Sequence, residues 1–215
     1  MEKARFMGRM TASVSHDLCN VLATIQQATG LLSDYLALAR KESLMSMGIR
    51  PRFKYDQKFE EIINQVQAQV DRGQNICEHL SHLAHSADET LAGTDLGQAC
   101  RLIVGLAGRV ARKHKVSLEV VDAPGKHLSD APMVEVLACL EAALLGAAFV
   151  CREQGAVRFR PGEADGRVHV DILCQALDAG EAASLAKSLE GGNPGPVSAG
   201  VVQGGVRLAF GKAGR

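Results

Sequence analysis

The chain has 215 residues, of which 24 are basic and 24 acidic, so its formal net charge is zero. Nothing in that balance points to non-specific binding to nucleic acid or to anionic membranes. No apolar run is expected to reach the ~18 residues of a membrane span. Six cysteines, at 19, 77, 100, 139, 151 and 174, contain no C-x-x-C pair. They are expected as small single side chains in a reducing cytoplasm, forming neither a disulfide framework nor a zinc site. The N-terminus, Met1-Glu2-Lys3-Ala4-Arg5-Phe6, has no apolar core behind it and does not read as a signal peptide.

Apolar residues recur at Met7, Met10, Val14, Val21, Ile25, Ala28, Leu32 and Tyr35. Steps of three and four residues define one buried seam on a long helix, predicted from Lys3 to Leu44. His16 lies off that seam, on a stripe with Ala12, Ser13, Asn20 and Ala23. Gly48 and Pro51 break the pattern within Ser46–Arg52. A second helix is predicted from Lys54 to Ser86, with Phe59, Ile62, Ile63, Val66, Val70, Ile76, Leu80 and Leu83 as its apolar positions. Two helices of more than ~30 residues cannot bury both stripes alone, so a homodimer giving a four-helix bundle is the simplest solution. Residues 1–86 are therefore expected to form a long antiparallel hairpin, the dimerisation unit.

A short polar linker, Ala87–Thr94, leads into a second domain, 95–215. A helix is predicted over Asp95–Lys113 with Thr94 as N-cap, then a strand over Val116–Val121 and an apolar helix over Pro132–Cys151. Strands follow at Ala156–Arg160 and Arg167–Leu173, joined by a polar turn around Gly162–Gly166. A helix over Asp178–Leu189, a Gly/Pro loop at Gly191–Pro196 and a strand over Gly205–Phe210 close the chain. The order is that of an α/β sandwich, and the fold class of the whole is α+β.

The chemistry-bearing residues lie on the first helix. An imidazole titrates near neutral pH, and its unprotonated nitrogen is a nucleophile for phosphoryl groups. Asp17 is placed to hold the ring in one tautomer and accept its proton. Asn20, one turn on, is placed to orient a water or an acidic partner. A His-Asp pair alone also describes an ordinary surface histidine. The longer stretch Phe6-Met7-Gly8-Arg9-Met10-Thr11-Ala12-Ser13-Val14-Ser15-His16-Asp17-Leu18-Cys19-Asn20-Val21-Leu22-Ala23-Thr24-Ile25 resembles the H-box of two-component sensor histidine kinases. That pattern runs as a Phe, a small-residue turn, Ser-His-Glu/Asp-Leu-x-Asn, Pro-Leu and an Ile. The resemblance implies that His16 is the phosphoacceptor, Asp17 its acid/base neighbour, and Asn20 the residue such proteins use to dephosphorylate a response regulator. Val21 stands where the family has proline, which removes a helix bend.

The second domain is similar in element order to the ATP-binding domain of the same family, but its motifs have gone. The two asparagines of the family's N-box fall on Cys139 and Ala143. The adenine-binding Asp-x-Gly-x-Gly falls on Cys174–Gly180, where no register supplies an Asp followed by two alternating glycines. The late glycines read as turn residues. Without those oxygens, Mg²⁺ lacks hard ligands. The expectation is a domain that binds no ATP and holds no metal or cofactor of its own, with Mg²⁺ supplied by the partner.

The resemblance thus implies a cytoplasmic histidine phosphotransferase, passing phosphoryl between the aspartates of response-regulator receiver domains. Ala12, Ser13, Ala23 and Gln27 are its expected docking face, and nucleic acid and membrane are not expected partners. No sensor or membrane segment is expected ahead of His16, so a signal would arrive through a partner. Two alternatives stand: a divergent sensor kinase or phosphatase using Asp17 and Asn20, and a non-catalytic module that binds response regulators. His79, His82 and His85, three apart, are expected as a solvated helix end rather than a metal site, and Arg109, Arg112, Lys113 and Lys115 as a solvated terminus or, equally, a face for an acidic partner. His114, His127 and His169 have no partner visible in the sequence.

Overall fold

Two long helices open the chain, α1 over Glu2–Met45 and α2 over Asp56–Ser86, as the three-and-four spacing requires. The computed structural model describes residues 2–45, 55–86, 93–151, 155–192 and 197–213. The break expected at Ser46–Arg52, most of the linker after Ser86 and the centre of the Gly/Pro loop lie outside the described residues. The chain divides into two compact units, Val14–Glu78 and, together, Met1–Ser13 with His79–Arg215.

In the helical unit, Val14, Val21 and Ala28 of α1 and Ile62 of α2 are buried. Gly73 on α2 lets the helices approach closely, since a Cβ there would lie 3.3 Å from Val21 Cγ1. At the far end Tyr35 meets Tyr55 and Phe59, with ring centroids 5.5 and 6.5 Å apart. The Tyr55 hydroxyl donates to Glu42 Oε1 at 2.8 Å, joining the start of α2 to the end of α1.

The α/β unit carries β1 (Thr94–Asp95), α3 (Leu96–Leu106), α4 (Gly108–His114), β2 (Ser117–Val120), β3 (Leu128–Ser129), α5 (Met133–Val150), β4 (Ala156–Ala164), β5 (Arg167–Cys174), α6 (Ala179–Gly192), β6 (Ser198–Val202) and β7 (Gly205–Phe210). Five strands form one mixed sheet in the order β2-β4-β5-β7-β6, with β2 and β4 parallel and the other pairs antiparallel. β1 and β3 pair separately. Long helices followed by a mixed sheet with packed helices make the chain α+β.

The structure differs from the sequence reading at several ends. The helix expected over Asp95–Lys113 is two, broken at Ala107, whose φ of −89° and ψ of 14° leave the helical region. Gly105 and Gly108 flank the break, and glycine resists helix by about 1 kcal/mol relative to alanine. Its N-cap is Asp95, whose Oδ1 accepts from Gly97 N at 2.9 Å, while Thr94 Oγ1 donates to the Ala131 carbonyl instead. The β4–β5 turn is Asp165-Gly166, with φ of 52° and 71°. Two successive positive φ values are what a two-residue hairpin demands, so both strands run further than expected. β6 was absent from the reading because Ser198-Ala199-Gly200 carries little strand propensity of its own.

α5 overturns the expectation about apolar length. It has 18 residues with mean hydropathy 2.0, enough by length and composition to cross a membrane, and half of it is buried inside the unit. It packs against α3, α4, α6 and strands β4, β5 and β7, as the central helix of a layered domain does. The cysteines differ too. Cys151, capping α5, is disulfide-bonded to Cys174, the last residue of β5, with Cα atoms 6.3 Å apart.

Val157, Phe159, Val168, Val170, Ile172, Val206, Leu208 and Phe210, alternating along three strands, are fully buried. The opposite face of those strands carries charge. Asp171 on β5 accepts from Arg207 Nε (2.6 Å) and Nη2 (3.0 Å) on β7, and from Arg160 Nη2 (2.8 Å) on β4. Burial pushes the Asp171 carboxyl up, but the hydrogen bonds from Arg207 and Arg160 outweigh it and hold the group below its ordinary value. Burial is also the main reason His169 lies below its ordinary value, with Asp171 opposing the shift. Both folded-state pKa values are depressed, so each group favours the fold above its unfolded pKa and loses that contribution as pH falls towards its folded value. Stability is therefore expected to decline first below about pH 6.5, where His169 protonates in the unfolded chain, and again below about pH 4, for Asp171. Denaturant titrations of wild type and His169→Phe across pH 7 to about pH 5 check the first step, which should shrink in the variant.

Candidate functional site on the first helix

The buried residues of α1 are Phe6, Met10, Ser13, Val14, Asp17, Val21 and Ala28. Asp17 is thus part of the seam, with its side chain only 9% exposed, while the side chain of His16 is 53% exposed. Adjacent residues on a helix differ by about 100° in direction, which puts a buried carboxylate beside an accessible imidazole. His16 Nδ1 lies 3.6 Å from Asp17 Oδ1, and Asn20 Nδ2 lies 3.2 Å from the same ring nitrogen. Both neighbours therefore address Nδ1. Asn20 is held in a regular helix, and its carbonyl accepts from Thr24 Oγ1 at 2.9 Å.

The structure brings His16, Asp17 and Asn20 together. Ala12, Ala23 and Gln27 are exposed, and helical periodicity places them on the His16 face. Ser13 is buried, at 7% exposure, and belongs with Asp17 on the seam side. Phe6, at 1% exposure, is a core residue that the spacing rule passed over because it stands beside Met7.

In the α/β unit, the positions matching the N-box asparagines are Cys139, 2% exposed, and Ala143, fully buried; neither offers an oxygen. Glu141 between them is 2% exposed and accepts from both Arg9 Nε, at 3.0 Å, and Arg9 Nη2. Asp178, the only carboxylate in the stretch matching the adenine motif, begins α6. Its Oδ1 accepts from Glu181 N at 2.8 Å and Glu181 Oε2 accepts from Asp178 N at 3.3 Å, a reciprocal cap. Leu185 of α6 lodges against Gly146 of α5, where any Cβ would collide with its methyls.

His79 is a packing residue. A Cβ on Gly105 would lie 2.5 Å from its Cε1 and Nε2, so the ring lies flat on that glycine. His82 and His85 are exposed. Among the described residues no group of three or more His, Cys, Asp or Glu side chains is arranged to hold a metal ion. Arg109 is exposed in the first turn of α4 and Arg112, Lys113 and Lys115 at its end, where Lys115 caps the helix in a left-handed conformation.

No protein-family model matches the chain, and no curated protein is similar to it. Several solved structures are. A bacterial phosphotransferase is 12% identical over 96% of this chain and 95% of that one, with a TM-score of 0.47. A histidine kinase from Burkholderia phymatum is 12% identical over 94% and 98%, with a TM-score of 0.43. The nucleotide-free catalytic domain of histidine kinase ThkA is 15% identical over 57% of this chain and 93% of that domain, with a TM-score of 0.40.

Proposed function

We propose that this chain is a histidine phosphotransferase of a two-component relay, carrying phosphoryl on His16 between response-regulator aspartates without using ATP. The observation that carries the reading is the division of labour around His16: Asp17 and Asn20 both address Nδ1, and the half-exposed ring leaves Nε2 for a partner. An amide can present oxygen or nitrogen to a ring. Reversing the Asn20 amide, so that its oxygen and not Nδ2 faces Nδ1, puts the ring proton on Nδ1 and the lone pair on Nε2.

Nε2 then attacks the phosphorus of an aspartyl phosphate in line, and the P–O bond electrons return to the aspartate oxygen. The Nδ1 proton, made acidic by the new N–P bond, passes towards Asp17, leaving a neutral imidazole ring that carries the anionic phosphoryl group. Mg²⁺ bound to the receiver would balance the charge of the phosphoryl group in both directions. Ala12, Ala23 and Gln27 are small or polar and exposed, which suits close approach of a partner backbone. That ATP plays no part is supported by the chemistry of the residues at the matching positions: a buried thiol, a methyl and a carboxylate engaged in capping α6.

Homodimerisation is supported by apolar residues left exposed on the hairpin, among them Leu31, Leu38, Ile63 and Val70. Ile63 and Val70 stand one heptad apart on α2, 55% and 36% exposed. Ile63→Glu with Val70→Glu is expected to turn a dimer into a monomer by light scattering, with helical circular dichroism kept. A dimer surviving both charges would place the interface elsewhere.

The function is tested by offering the protein receiver domains radiolabelled on aspartate and, separately, radiolabelled ATP. Label from a receiver but not from ATP, lost in His16→Gln, is the expected result. Label from ATP would make the protein a kinase, and label from neither would leave a binding module.

A further inference from the structure

We propose that Cys151 and Cys174 form a reversible dithiol–disulfide site that exchanges with small acidic disulfides entering a neighbouring cavity. The two residues close α5 and β5, and their Cα separation of 6.3 Å lies within the range that a disulfide spans without backbone movement. The fold makes room for the pair. Gly155, at the entry to β4, sits against Cys151 Sγ and its carbonyl so tightly that any side chain there would collide with the sulfur.

Beside the pair, at one end of the sheet, is a cavity of about 430 Å³ lined by Gly155, Arg158, Cys174, Gln175, Gln203 and Gly204 among others. Cys174 borders this space and Cys151 does not. Arg158 supplies a guanidinium for a carboxylate, and its ion pair with Glu119, at 2.8 Å between two half-exposed side chains, is of the weak, exchangeable kind. The amides of Gln175 and Gln203 can donate to and accept from a peptide group. Those lining groups fit a short peptide disulfide bearing carboxylates.

The chemical setting comes from the other cysteines. Cys19 and Cys77 are exposed free thiols, and Cys100 is a buried one. Exposed single thiols persist where the surroundings are reducing, and a disulfide formed there is usually one that turns over. Burial holds Cys100 up at about 12, so it stays an inert thiol and does not compete. Both Cys151 and Cys174 are themselves at most 2% exposed, and of the two only Cys174 is among the described residues that line the cavity.

The exchange balances without any further oxidant. A small thiolate attacks Cys174 Sγ, the Cys151–Cys174 bond breaks, and its electron pair leaves on Cys151, which takes a proton from water. A second small thiolate then attacks the outer sulfur of the mixed disulfide and releases Cys174 as a thiol. Two protein thiols and one small disulfide result, and the reverse sequence re-forms the bond.

The test uses the full, folded chain equilibrated in glutathione buffers of varied thiol-to-disulfide ratio, quenched with a maleimide and mapped by mass spectrometry. The expected result is that labels at Cys151 and Cys174 rise and fall together and reversibly. In oxidised glutathione, Cys151→Ser should collect a glutathione on Cys174 at least about tenfold faster than Cys174→Ser does on Cys151. A bond that opens only in denaturant would make the pair a fixed staple and overturn the proposal. Two thiols that oxidised glutathione never joins would make it a packing contact and overturn it equally. The wild-type titration decides between these whether or not the serine variants fold.

Discussion

Replacing His16 by glutamine will abolish phosphoryl acceptance, lowering label on the protein by at least about 10³-fold, because the imidazole nitrogen that forms the N–P bond is gone. Glutamine keeps the size and the helix propensity of the site, so circular dichroism and the melting temperature should stay at wild-type values. Asp17→Asn separates the roles further. The nucleophile stays but loses its proton acceptor, and transfer should slow by about 10²-fold, the range for a positioned acid or base. Gln27→Ala should leave transfer from a small-molecule phosphodonor unchanged and raise only the receiver concentration needed for half-maximal transfer. The measurement is single-turnover transfer by rapid quench. Unimpaired label on the His16→Gln protein would end the phosphotransferase reading.

Replacing Arg9 by methionine will destabilise the α/β unit by about 2 kcal/mol, which lowers the melting temperature by about 4–8 °C in a domain of this size. Glu141 is 2% exposed and Arg9 is its hydrogen-bonding partner through two nitrogens. Deleting the cation leaves a carboxylate among the alanines and leucines of α5 with its desolvation uncompensated. The figure is set below that for a fully buried pair because Arg9 is itself half-exposed, at 52%. Glu141→Gln in the Arg9→Met background removes the charge and should recover most of the loss. Calorimetry of the two variants decides the matter. Equal melting temperatures for wild type and Arg9→Met would mean that water already solvates Glu141.

Much of the molecule could be read from residue spacing. α1 and α2 declare themselves through apolar steps of three and four, and His16, Asp17 and Asn20 are close in space because they are close on one helix. Features that join distant parts of the chain were hidden for that same reason. Arg9 and Glu141 are 132 residues apart, and neither flags the other. Cys151 and Cys174, 23 apart, come together only once α5 and β5 end at the same edge of the sheet, which no local pattern encodes. The turn between β4 and β5 is legible, but its two-residue extent lies in the Asp165-Gly166 pair, a hairpin marker in its own right between alternating runs. Asp17 was legible as a neighbour of His16, while its burial depended on how wide the seam is, and spacing sets that only to within a residue.

The clamp of Arg160 and Arg207 on Asp171 also bears on how the sheet assembles. It ties three adjacent strands, β4, β5 and β7, through one carboxylate. If β5 slipped by one residue against its neighbours, Asp171 would turn towards the helices, and Val170 or Ile172 would sit beneath two guanidinium groups. A misaligned sheet would then hold a buried anion on one side and uncovered cations on the other, each unfavourable by itself. The triad therefore acts as a proofreading device during folding: it rewards a single alignment of three strands and makes the nearest wrong ones short-lived.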